Sequence, residues 1–401
     1  MRKIIITILA ICTSSTIIVA QNTTNSPTSM FGIGELSTGN GGQYSGMGGA
    51  GIALRGSSFL NISNPASLTE LDSLKFTFEA GIIGAYKKYT QSGISNNSTV
   101  GNVNNIGIGC RVLPHWYSAI SLSPVSSVGY AVTLDQQVEG SPGSTISSYF
   151  EGEGGLSKIS FSNAFLISKR LSIGVNLSYI TGKITETETQ SSAIVTETSS
   201  KNTLYADMGV QYKLPIDRDR SFVLGATYGY SQPLSQDNNL TFSSSTGSST
   251  LDRSISTVKQ YMPQFYGVGL AYISLKWIFT ADYKYVEWSR MQSSQSIINY
   301  SDQKDLKAGI SYVIGNPYKN PVKLMLGAGI SDSYVIINNN KSQNYFVSTG
   351  LGLTLRNKNI LSLGVKYGDQ TSVDMGMPRD KSISLYFNLS FNERTYRGKL
   401  Q

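Results

Sequence analysis

The fold is decided by residues 171–179, which read Leu-Ser-Ile-Gly-Val-Asn-Leu-Ser-Tyr. Apolar side chains occupy every second position, and serine, glycine and asparagine fill the places between them. Successive side chains of a β-strand point to opposite faces, so a period of two predicts a strand with one apolar and one polar face. The same alternation recurs at residues 106–112, 361–368 and 382–391. The sequence therefore predicts an all-β protein.

The alternation continues through about fourteen segments between Leu74 and Phe391. Their approximate bounds are 74–90, 103–113, 116–132, 155–167, 171–188, 202–214, 221–231, 262–273, 276–288, 304–315, 322–335, 344–356, 359–370 and 381–391. A strand of about 9 to 11 residues is long enough to cross a bilayer at a tilt. The segments thus predict a transmembrane antiparallel β-barrel of about 14 strands.

The connections between these segments alternate in length. The short ones are 114–115, 168–170, 215–220, 274–275, 316–321 and 357–358. The long ones, rich in Ser, Thr, Asn and Gln, are 91–102, 133–154, 189–201, 232–260, 289–303, 336–343 and 371–380. Turns at one end and loops at the other are typical of barrels in the bacterial outer membrane. We therefore expect both termini in the periplasm and the long loops outside the cell. A soluble β-sandwich is the alternative, although it has no reason to sort its loops by length.

The composition fits a membrane barrel and excludes other classes. The chain has 401 residues, of which 40% are hydrophobic and 14% charged, and its mean hydropathy is -0.11. A disordered chain would carry more charge and fewer aromatic residues, and a disulfide scaffold would need more than two cysteines. Tyrosine and tryptophan lie mostly near strand ends, as Tyr283 and Trp288 do, which suits aromatic girdles at the membrane interfaces.

Few residues are suited to catalysis or to holding a metal. The single histidine, His115, lies in a predicted turn, and no His, Cys or Asp cluster has metal-ligand spacing. Cys110 alternates onto the predicted lipid face. The net charge is +8, but the basic residues are scattered, and an exported protein does not meet nucleic acid. We expect no enzymatic activity, no cofactor, no metal and no nucleic-acid partner.

The N-terminus has the features of a secretory signal. Arg2 and Lys3 precede an apolar run, and the small residue Ala20 stands where cleavage is expected. The alternatives are a buried first strand or an N-terminal anchor helix. We predict a signal peptide over 1–20, a plug or hatch over 21–73, a barrel over 74–391 and a periplasmic tail over 392–401.

Residues 21–73 do not alternate and are too many for a linker. They contain a glycine-rich run from Gly39 to Gly51, followed by Asn64-Pro65-Ala66. No strand precedes these glycines and no Lys-Ser/Thr follows them, so a phosphate-binding loop is not expected. A segment of this length before the first strand is predicted to fold back into the barrel as a plug.

Two patches of the chain carry family motifs. One is Met47-Gly48-Gly49-Ala50-Gly51-Ile52-Ala53 with Asn64-Pro65-Ala66-Ser67-Leu68; the other runs from Met262-Pro263 through residues 267–272 and 277–289. Together they resemble the long-chain fatty-acid channel family (FadL/TodX) of outer-membrane proteins. The resemblance implies a monomeric barrel with a hatch, and a hydrophobic ligand that enters from outside and leaves sideways through a gap in the third strand. The hatch-motif residues it implies are Gly48, Gly49, Asn64, Pro65 and Ala66.

A lateral gap needs a local break in the strand ladder, because a closed barrel has no free edge. Pro124 has no N–H to donate and lies inside the third predicted strand, with Gly129 nearby. We predict these two residues as the lateral gate. The alternative is that Pro124 simply begins the extracellular end of a shorter strand.

Three charged residues alternate onto the predicted lumen face. Asp282 and Lys284 lie on the ninth strand, and Lys307 lies on the tenth. Antiparallel pairing of these strands brings the two lysines near each other, where they can hold a carboxylate headgroup. The alternative is a structural network of ion pairs in a polar lumen.

The predicted function is passive uptake of a small hydrophobic, fatty-acid-like compound, with release through the barrel wall into outer-membrane lipid. The alternative is a non-transporting barrel of this kind that is a subunit of an outer-membrane secretion or assembly complex and binds other outer-membrane or periplasmic proteins. The polar loop 232–260 and the tail 392–401 favour the alternative. A general diffusion porin is a third possibility, which a plugged lumen disfavours.

Overall fold

The computed structural model describes residues 24–37, 42–91, 93–137, 145–244, 251–254, 259–292, 298–337, 340–355, 358–371 and 379–394. Fourteen strands form the wall of one sheet. Their bounds are β1 Lys75–Gln91, β2 Ile94–Leu113, β3 Trp116–Gln137, β4 Thr145–Leu166, β5 Leu171–Gln190, β6 Ala193–Pro215, β7 Ser221–Gly229, β8 Gln264–Ile273, β9 Trp277–Glu287, β10 Gln303–Ile314, β11 Val322–Ile337, β12 Asn340–Thr354, β13 Ile360–Thr371 and β14 Arg379–Arg394.

The sheet closes into a barrel. Each wall strand pairs antiparallel with the next along the chain, and β14 pairs with β1 from Lys75–Arg394 to Thr90–Arg379. Connections of two to seven residues join the strands at one end, here named the turn end. The other end, named the loop end, has the long stretches 230–263 and 288–302 but also the two-residue connections 92–93, 191–192 and 338–339, so the predicted sorting by length is present only in part. The prediction of an all-β barrel of fourteen strands is therefore confirmed.

Strand β5 illustrates how the alternation forms the wall. Val175 and Leu177 are exposed on its outer face, whereas Ser172 and Asn176 are buried on its inner face. Repeated around the ring, this pattern gives an apolar outer band and a polar lumen. No helix in the described part of the chain is long and apolar enough to cross a membrane.

Strands β3 to β6 continue far beyond the membrane at the loop end. They contain 20 to 23 residues, about twice the length that a tilted strand needs to cross a bilayer. Residues 133–137, 145–154 and 193–201, and residues 94–102 of the equally long β2, are therefore strand, and their prediction as loop is wrong. Outside the bilayer the outer face need not be apolar, so the alternation stops although the ladder continues.

The strands on the opposite side of the wall are shorter. Strands β7, β8 and β9 contain only 9, 10 and 11 residues. Residues Ser235–Ser244, within the predicted loop 232–260, form a further strand that pairs with the upper part of β6. The mouth of the barrel is thus much higher on one side than on the other.

The N-terminal residues fill the lumen, as predicted for a plug. They form three 3-10 helices, Pro27–Met30, Gly42–Met47 and Pro65–Glu70. Fully buried hatch residues include Ile33, Ala50, Ala53 and Leu54. The predicted signal peptide, Gly39 to Gly41 and residues 395–401 lie outside the described residues, and strand β14 runs to Arg394 rather than ending at Phe391.

Trp288 differs from its predicted place in an outer aromatic girdle. Its side chain is only 3% exposed and packs inside the barrel, 4.6 Å from the ring of Tyr334 between centroids. The residue follows the last position of β9, where the chain leaves the ladder and turns over the lumen. Strand alternation no longer determines the direction of a side chain at that point.

Candidate functional site: lumen cavity and open join

A cavity of about 340 Å³ lies in the lumen between the hatch and the loop end. Several predicted site residues line it: Gly48, Gly49, Pro124, Asp282, Lys284 and Lys307. Four others are not among its lining residues: Gly129, Asn64, Pro65 and Ala66. The structure thus brings the predicted charged residues and the predicted gate proline to one space.

Part of the cavity lining is apolar. Its lining residues Ile180, Tyr205, Met262, Val286 and Trp288 belong to a buried hydrophobic cluster at the loop end of the lumen. Sequence alternation indicates whether such residues face the lumen or the outside. It does not indicate that side chains from distant strands pack together here. This surface is suited to an apolar ligand part.

The cavity lining also includes four lysines, Lys158, Lys284, Lys307 and Lys366, two of which lie directly beside apolar lining residues. Lys284 Nζ lies 4.1 Å from the ring centroid of Phe265, and Lys366 Nζ lies 4.0 Å from that of Phe346. Among the described residues, none of the four has an ion-pair partner within 4.0 Å. The cluster is therefore available for an anionic group.

The carboxylates of the cavity form hydrogen bonds with polar groups of the hatch and the wall. Asp282 Oδ2 accepts hydrogen bonds from the backbone N–H groups of Gly51 (2.6 Å) and Ile52 (2.8 Å). Asp207 accepts one from Asn176 (2.7 Å). Asp305 accepts from Ser331 and from Gln303. Each acid is thus tied to the wall or the hatch rather than to a lysine in direct contact.

The register refines the expected lysine pair. Lys284 lies opposite Asp305, and Lys307 lies opposite Asp282. Lys284 and Lys307 are therefore diagonal neighbours, a relation in which long side chains still reach one another. Asp282 anchors the hatch, which is a role that the sequence did not indicate.

Two further lysines were missed by the sequence reasoning. Lys158 on β4 and Lys366 on β13 alternate onto the polar face, so the pattern was sufficient to place them in the lumen. It was not sufficient to bring them together with β9 and β10. Only closure of the ring does this.

The glycine-rich part of the hatch fits closely against the wall. The Gly48 N–H donates a hydrogen bond to Ser348 Oγ (2.9 Å), and its φ of +70° is in the left-handed region that favours glycine. A Cβ at Gly327 on β11 would lie 2.1 Å from the Gly48 nitrogen. Glycines on both surfaces are therefore needed for this approach.

The Asn-Pro-Ala motif fixes the hatch to the other side of the wall. Asn64 Oδ1 accepts from the Ala66 N–H (3.1 Å) and caps the helix that begins at Pro65. Asn64 Nδ2 donates to Ile52 O (2.8 Å). A Cβ at Gly209 on β6 would lie 2.0 Å from Asn64 Oδ1. The motif residues therefore position the hatch and do not line the cavity.

The wall is open between β2 and β3 at the loop end. In the described residues their ladder runs from Leu113–Trp116 to Ile106–Leu122 and no further. Beyond it, β2 pairs with β1 and β3 with β4, where the register shifts between Pro124 and Ser126. The two strands separate at the predicted gate proline. We name this gap between β2 and β3 the open join.

Residues 24–37, named the edge segment, lie along the free edge of β3. Glu35 and Leu36 pair with Ser127 and Ser126. The Ser26 N–H donates to Gly129 O (2.7 Å), and a Cβ at Gly129 would lie 1.7 Å from Thr24 O. Gly129 is thus the residue that permits the edge segment to approach, and nothing in the sequence indicated this contact.

A partly buried ion pair holds the edge segment to the lumen side of the barrel. Glu35 forms it with Lys87 of β1 and also accepts a hydrogen bond from Thr24 Oγ1 (2.6 Å). Burial alone would raise the pKa of Glu35, but the charge and hydrogen bond of Lys87 outweigh it and hold the pKa below its usual value. The edge segment therefore carries an ionised carboxylate inside the barrel.

Comparison with known proteins identifies the family. The model of the BamG family matches residues 1–399. No curated protein sequence matches the chain. Among solved structures, a FadL homologue of Pseudomonas aeruginosa is similar with a TM-score of 0.59 and 13% identity, covering 90% of this chain and 98% of that chain.

Two toluene transporters are similar in the same way. TodX of Pseudomonas putida has a TM-score of 0.57 and 16% identity, covering 88% of this chain and 97% of its own. TbuX of Ralstonia pickettii has a TM-score of 0.55 and 13% identity, covering 89% and 98%. These likenesses confirm the resemblance to FadL/TodX at the level of the fold, that of an outer-membrane barrel. Since the family model extends over nearly all of the sequence, the chain belongs to the BamG family.

Proposed function

We propose that this protein takes up small hydrophobic compounds that carry an anionic group, by passive diffusion, and releases them sideways through the open join. The observation that carries the proposal is the continuity of one cavity. Its lining includes the lysine cluster, the apolar cluster, and Leu36, Pro124 and Val125 at the open join. One space thus offers lysines for the anionic head of such a ligand, an apolar surface for its tail, and an exit.

Lateral release is favoured by the energetics of apolar ligands. Moving a ligand from apolar surroundings into water costs about 0.8 kcal/mol for each CH₂ group. A route down the lumen would meet the polar inner wall and the hatch, which is hydrogen-bonded to Asp282, Ser348 and Val210 of the strands. A route through the wall delivers the ligand directly to lipid and avoids this cost.

The proposed orientation puts the turn end in the periplasm and the loop end outside the cell, with both termini periplasmic. It is supported by the even number of strands and by the unequal connections at the two ends. The ligand then enters at the uneven mouth, passes the apolar cluster and binds beside the lysines. No step requires chemistry on the ligand.

The edge segment is proposed as the gate of this route. It covers the free edge of β3, and its Glu35 lies close enough to Lys366 of the cavity to interact electrostatically with it. An anion bound among the lysines repels Glu35 and weakens its pair with Lys87. Ligand binding and opening of the wall are thereby linked.

Uptake in whole cells tests the proposal. Cells lacking the protein and cells complemented with it receive a labelled medium-chain fatty acid and, separately, the alcohol of the same chain length. We expect faster uptake of the acid only in complemented cells. Equal uptake of the acid by both strains contradicts the proposal, and equal stimulation for acid and alcohol contradicts the anionic specificity.

A second candidate function is that of a non-transporting subunit in an outer-membrane complex. It is favoured by the small size of the cavity, about 340 Å³, and by the many hydrogen bonds that fix the hatch. Purification in mild detergent distinguishes the two. A lone monomer counts against the subunit, whereas a stoichiometric assembly without ligand uptake counts against the channel.

A further inference from the structure

A groove lies on the turn end, outside the cavity and the open join. Three neighbouring turns form it: residues 216–220 after β6, 274–276 after β8 and 315–321 after β10. Its volume is about 830 Å³. The transport route does not use it.

Each of the three turns is rigidified by its own polar side chain. Asp217 Oδ1 accepts from the N–H groups of Asp219 (3.0 Å) and Arg220 (2.8 Å). Ser274 Oγ accepts from the Trp277 N–H (3.0 Å). Asn316 Oδ1 accepts from the Tyr318 N–H (2.9 Å). Such side-chain-to-backbone bonds stabilise a defined turn shape, so the groove is preformed.

The aromatic residues beside the groove indicate where it lies relative to the membrane. On the outer wall next to the turns, the Phe222 and Tyr272 ring centroids are 5.2 Å apart, and those of Trp277 and Tyr312 are 4.4 Å apart. Aromatic girdles of this kind mark the membrane–water interface. The turns project past this girdle, so the groove faces the aqueous compartment.

Large apolar side chains are exposed at the groove. Tyr318 is 77% exposed, Ile216 51% and Leu275 37%, although all three lie in turns. Leu275 and Tyr318 line the groove itself. Water-facing turns of short length normally carry polar residues, and exposed aromatic and apolar side chains beside a preformed groove are suited to a protein partner.

The three turns around the groove carry a net positive charge. They hold four cations, Arg218, Arg220, Lys276 and Lys319, and two acids, Asp217 and Asp219. The groove lining itself is balanced, with Arg220 and Lys276 beside the two acids, so the excess charge lies on the rim. Asp217 is bound within its own turn: Oδ2 accepts from Arg220 Nε (2.6 Å), and this bond lowers its pKa. The next turn along the rim adds Lys169 and Arg170. An acidic partner is therefore favoured over a basic or neutral one.

We propose that this groove docks a short acidic segment of a water-soluble protein, with carboxylates on the rim cations and an apolar side chain against Tyr318 and Leu275. A protein segment is favoured over anionic lipid because the turns project past the aromatic girdle and the groove faces away from the bilayer. The proposal rests on the geometry of the turn end and not on transport.

A binding assay with defined peptides tests the docking site. The whole protein is placed in phosphatidylcholine nanodiscs, and a fluorescent peptide of Glu, Asp and Leu is titrated against it. The comparison peptide has Lys in place of each acid. We expect the acidic peptide to bind about ten-fold more tightly, with an affinity that falls as salt rises.

Matched variants locate the site. Lys276→Glu with Lys319→Glu, and separately Tyr318→Ser, are each expected to weaken the acidic peptide about ten-fold. The control is Lys183→Glu with Arg253→Glu, two exposed cations at the loop end, which should bind as the unmodified protein does. Heat-modifiable migration on SDS gels verifies that every variant is folded.

Three results overturn the proposal. One is equal affinity for the acidic and basic peptides, and another is unchanged affinity in both turn-end variants. The third is absence of peptide binding together with association to phosphatidylglycerol vesicles that depends on Lys276 and Lys319, which would assign the rim to lipid. Uptake of ligand is measured in parallel, and its loss or retention leaves these outcomes distinct.

Discussion

Two joins in the barrel wall differ in how they are closed. Strands β1 and β14 are joined by sixteen register pairs, whereas β2 and β3 share only seven. The remaining edge of β3 is covered by the edge segment, through the Glu35 and Leu36 pairs and a few hydrogen bonds. A membrane barrel must satisfy its backbone polar groups, but a removable segment can do this in place of a permanent neighbour. The difference identifies one part of the wall that can open without unfolding the rest.

Locking the open join is the strongest way to abolish this difference. Leu36→Cys with Ser126→Cys, in a Cys110→Ala background, places two thiols on directly paired residues, where a disulfide can form. We expect oxidation to stop ligand uptake almost completely and reduction to restore it. The measurement is uptake in cells with and without reductant.

A disulfide in the closed join is the matched control. Ile82→Cys with Phe387→Cys links register partners of β1 and β14 in the same background. Because that join does not open on this proposal, oxidation should leave uptake unchanged. Similar inhibition by both disulfides would mean that the β2–β3 join has no special role.

Displacing the edge segment should have the next largest effect. Gly129→Val places side-chain atoms where Thr24 O now lies, 1.7 Å from the ideal Cβ position, so the segment must move. We expect several-fold faster proteolysis of the N-terminal segment in purified protein, in line with a lower free energy of local opening. The rate of ligand uptake should rise, or uptake should no longer depend on the anionic group of the ligand.

Gly84→Val serves as the control for steric change alone. Gly84 lies on β1, and no heavy atom lies within 4 Å of its ideal Cβ position. In the Gly84→Val variant, the rate of proteolysis of the N-terminal segment should match that of the unmodified protein. If Gly129→Val also behaves like the unmodified protein, the edge segment does not depend on this contact.

The lysine cluster, which the cavity connects to the open join, gives a prediction on affinity. Lys284→Met and Lys366→Met each remove one charge from the cavity, and a charge-assisted contact is worth about 1.5–3 kcal/mol, or about ten-fold or more in affinity. We expect this loss for a fatty acid and almost none for the matching alcohol. Calorimetry on the purified protein measures both.

Lys323→Met is the matched control for the cavity lysines. Lys323 lies on β11 near the turn end and does not line the cavity. Its replacement should leave the affinity for the acid unchanged. Equal losses for acid and alcohol in the cavity variants would show that packing, rather than charge, was removed.

The smallest expected effect is that of pH on the edge segment. The folded-state pKa of Glu35 lies below the usual glutamate value of about 4.5. Its contribution is therefore complete above about pH 4.5 and is lost as the pH falls through the lower folded value. We expect faster proteolysis of the edge segment only in this acidic range, because protonation removes the pair with Lys87.

Glu35→Gln tests whether this residue causes the pH dependence. The variant should show the faster proteolysis at neutral pH and no further acid dependence. Lys87, Lys366 and Asp380 also face Glu35, and none of them is changed by the substitution. A variant that retains the full acid response would place the titrating group elsewhere.

Much of the fold was readable because a strand imposes a period of two on its own side chains. Residues 171–179 predicted both the strand and its faces. The prediction was wrong where the environment changes along a strand. Residues 193–201 continue β6 outside the bilayer, where no apolar face is required, so their sequence reads as loop although the ladder continues.

The site was readable only in part. Lys284, Lys307 and Pro124 were predicted and line the cavity, whereas Gly129 contacts the edge segment instead. Glu35 and Lys87 gave no signal, because an isolated acid and a lysine on another element have no common pattern in the sequence. Their relation depends on where the hatch enters the lumen.

The sequence by itself determined most of the strands and their lipid and lumen faces, because these follow from local periodicity. Only the tertiary structure decided which lysines converge, where the wall is open and what covers it. Ser29 and Gly129 are 100 residues apart and hydrogen-bonded, and such contacts arise from ring closure and from the path of the hatch. Local alternation sets the faces of one strand but not its distant neighbours.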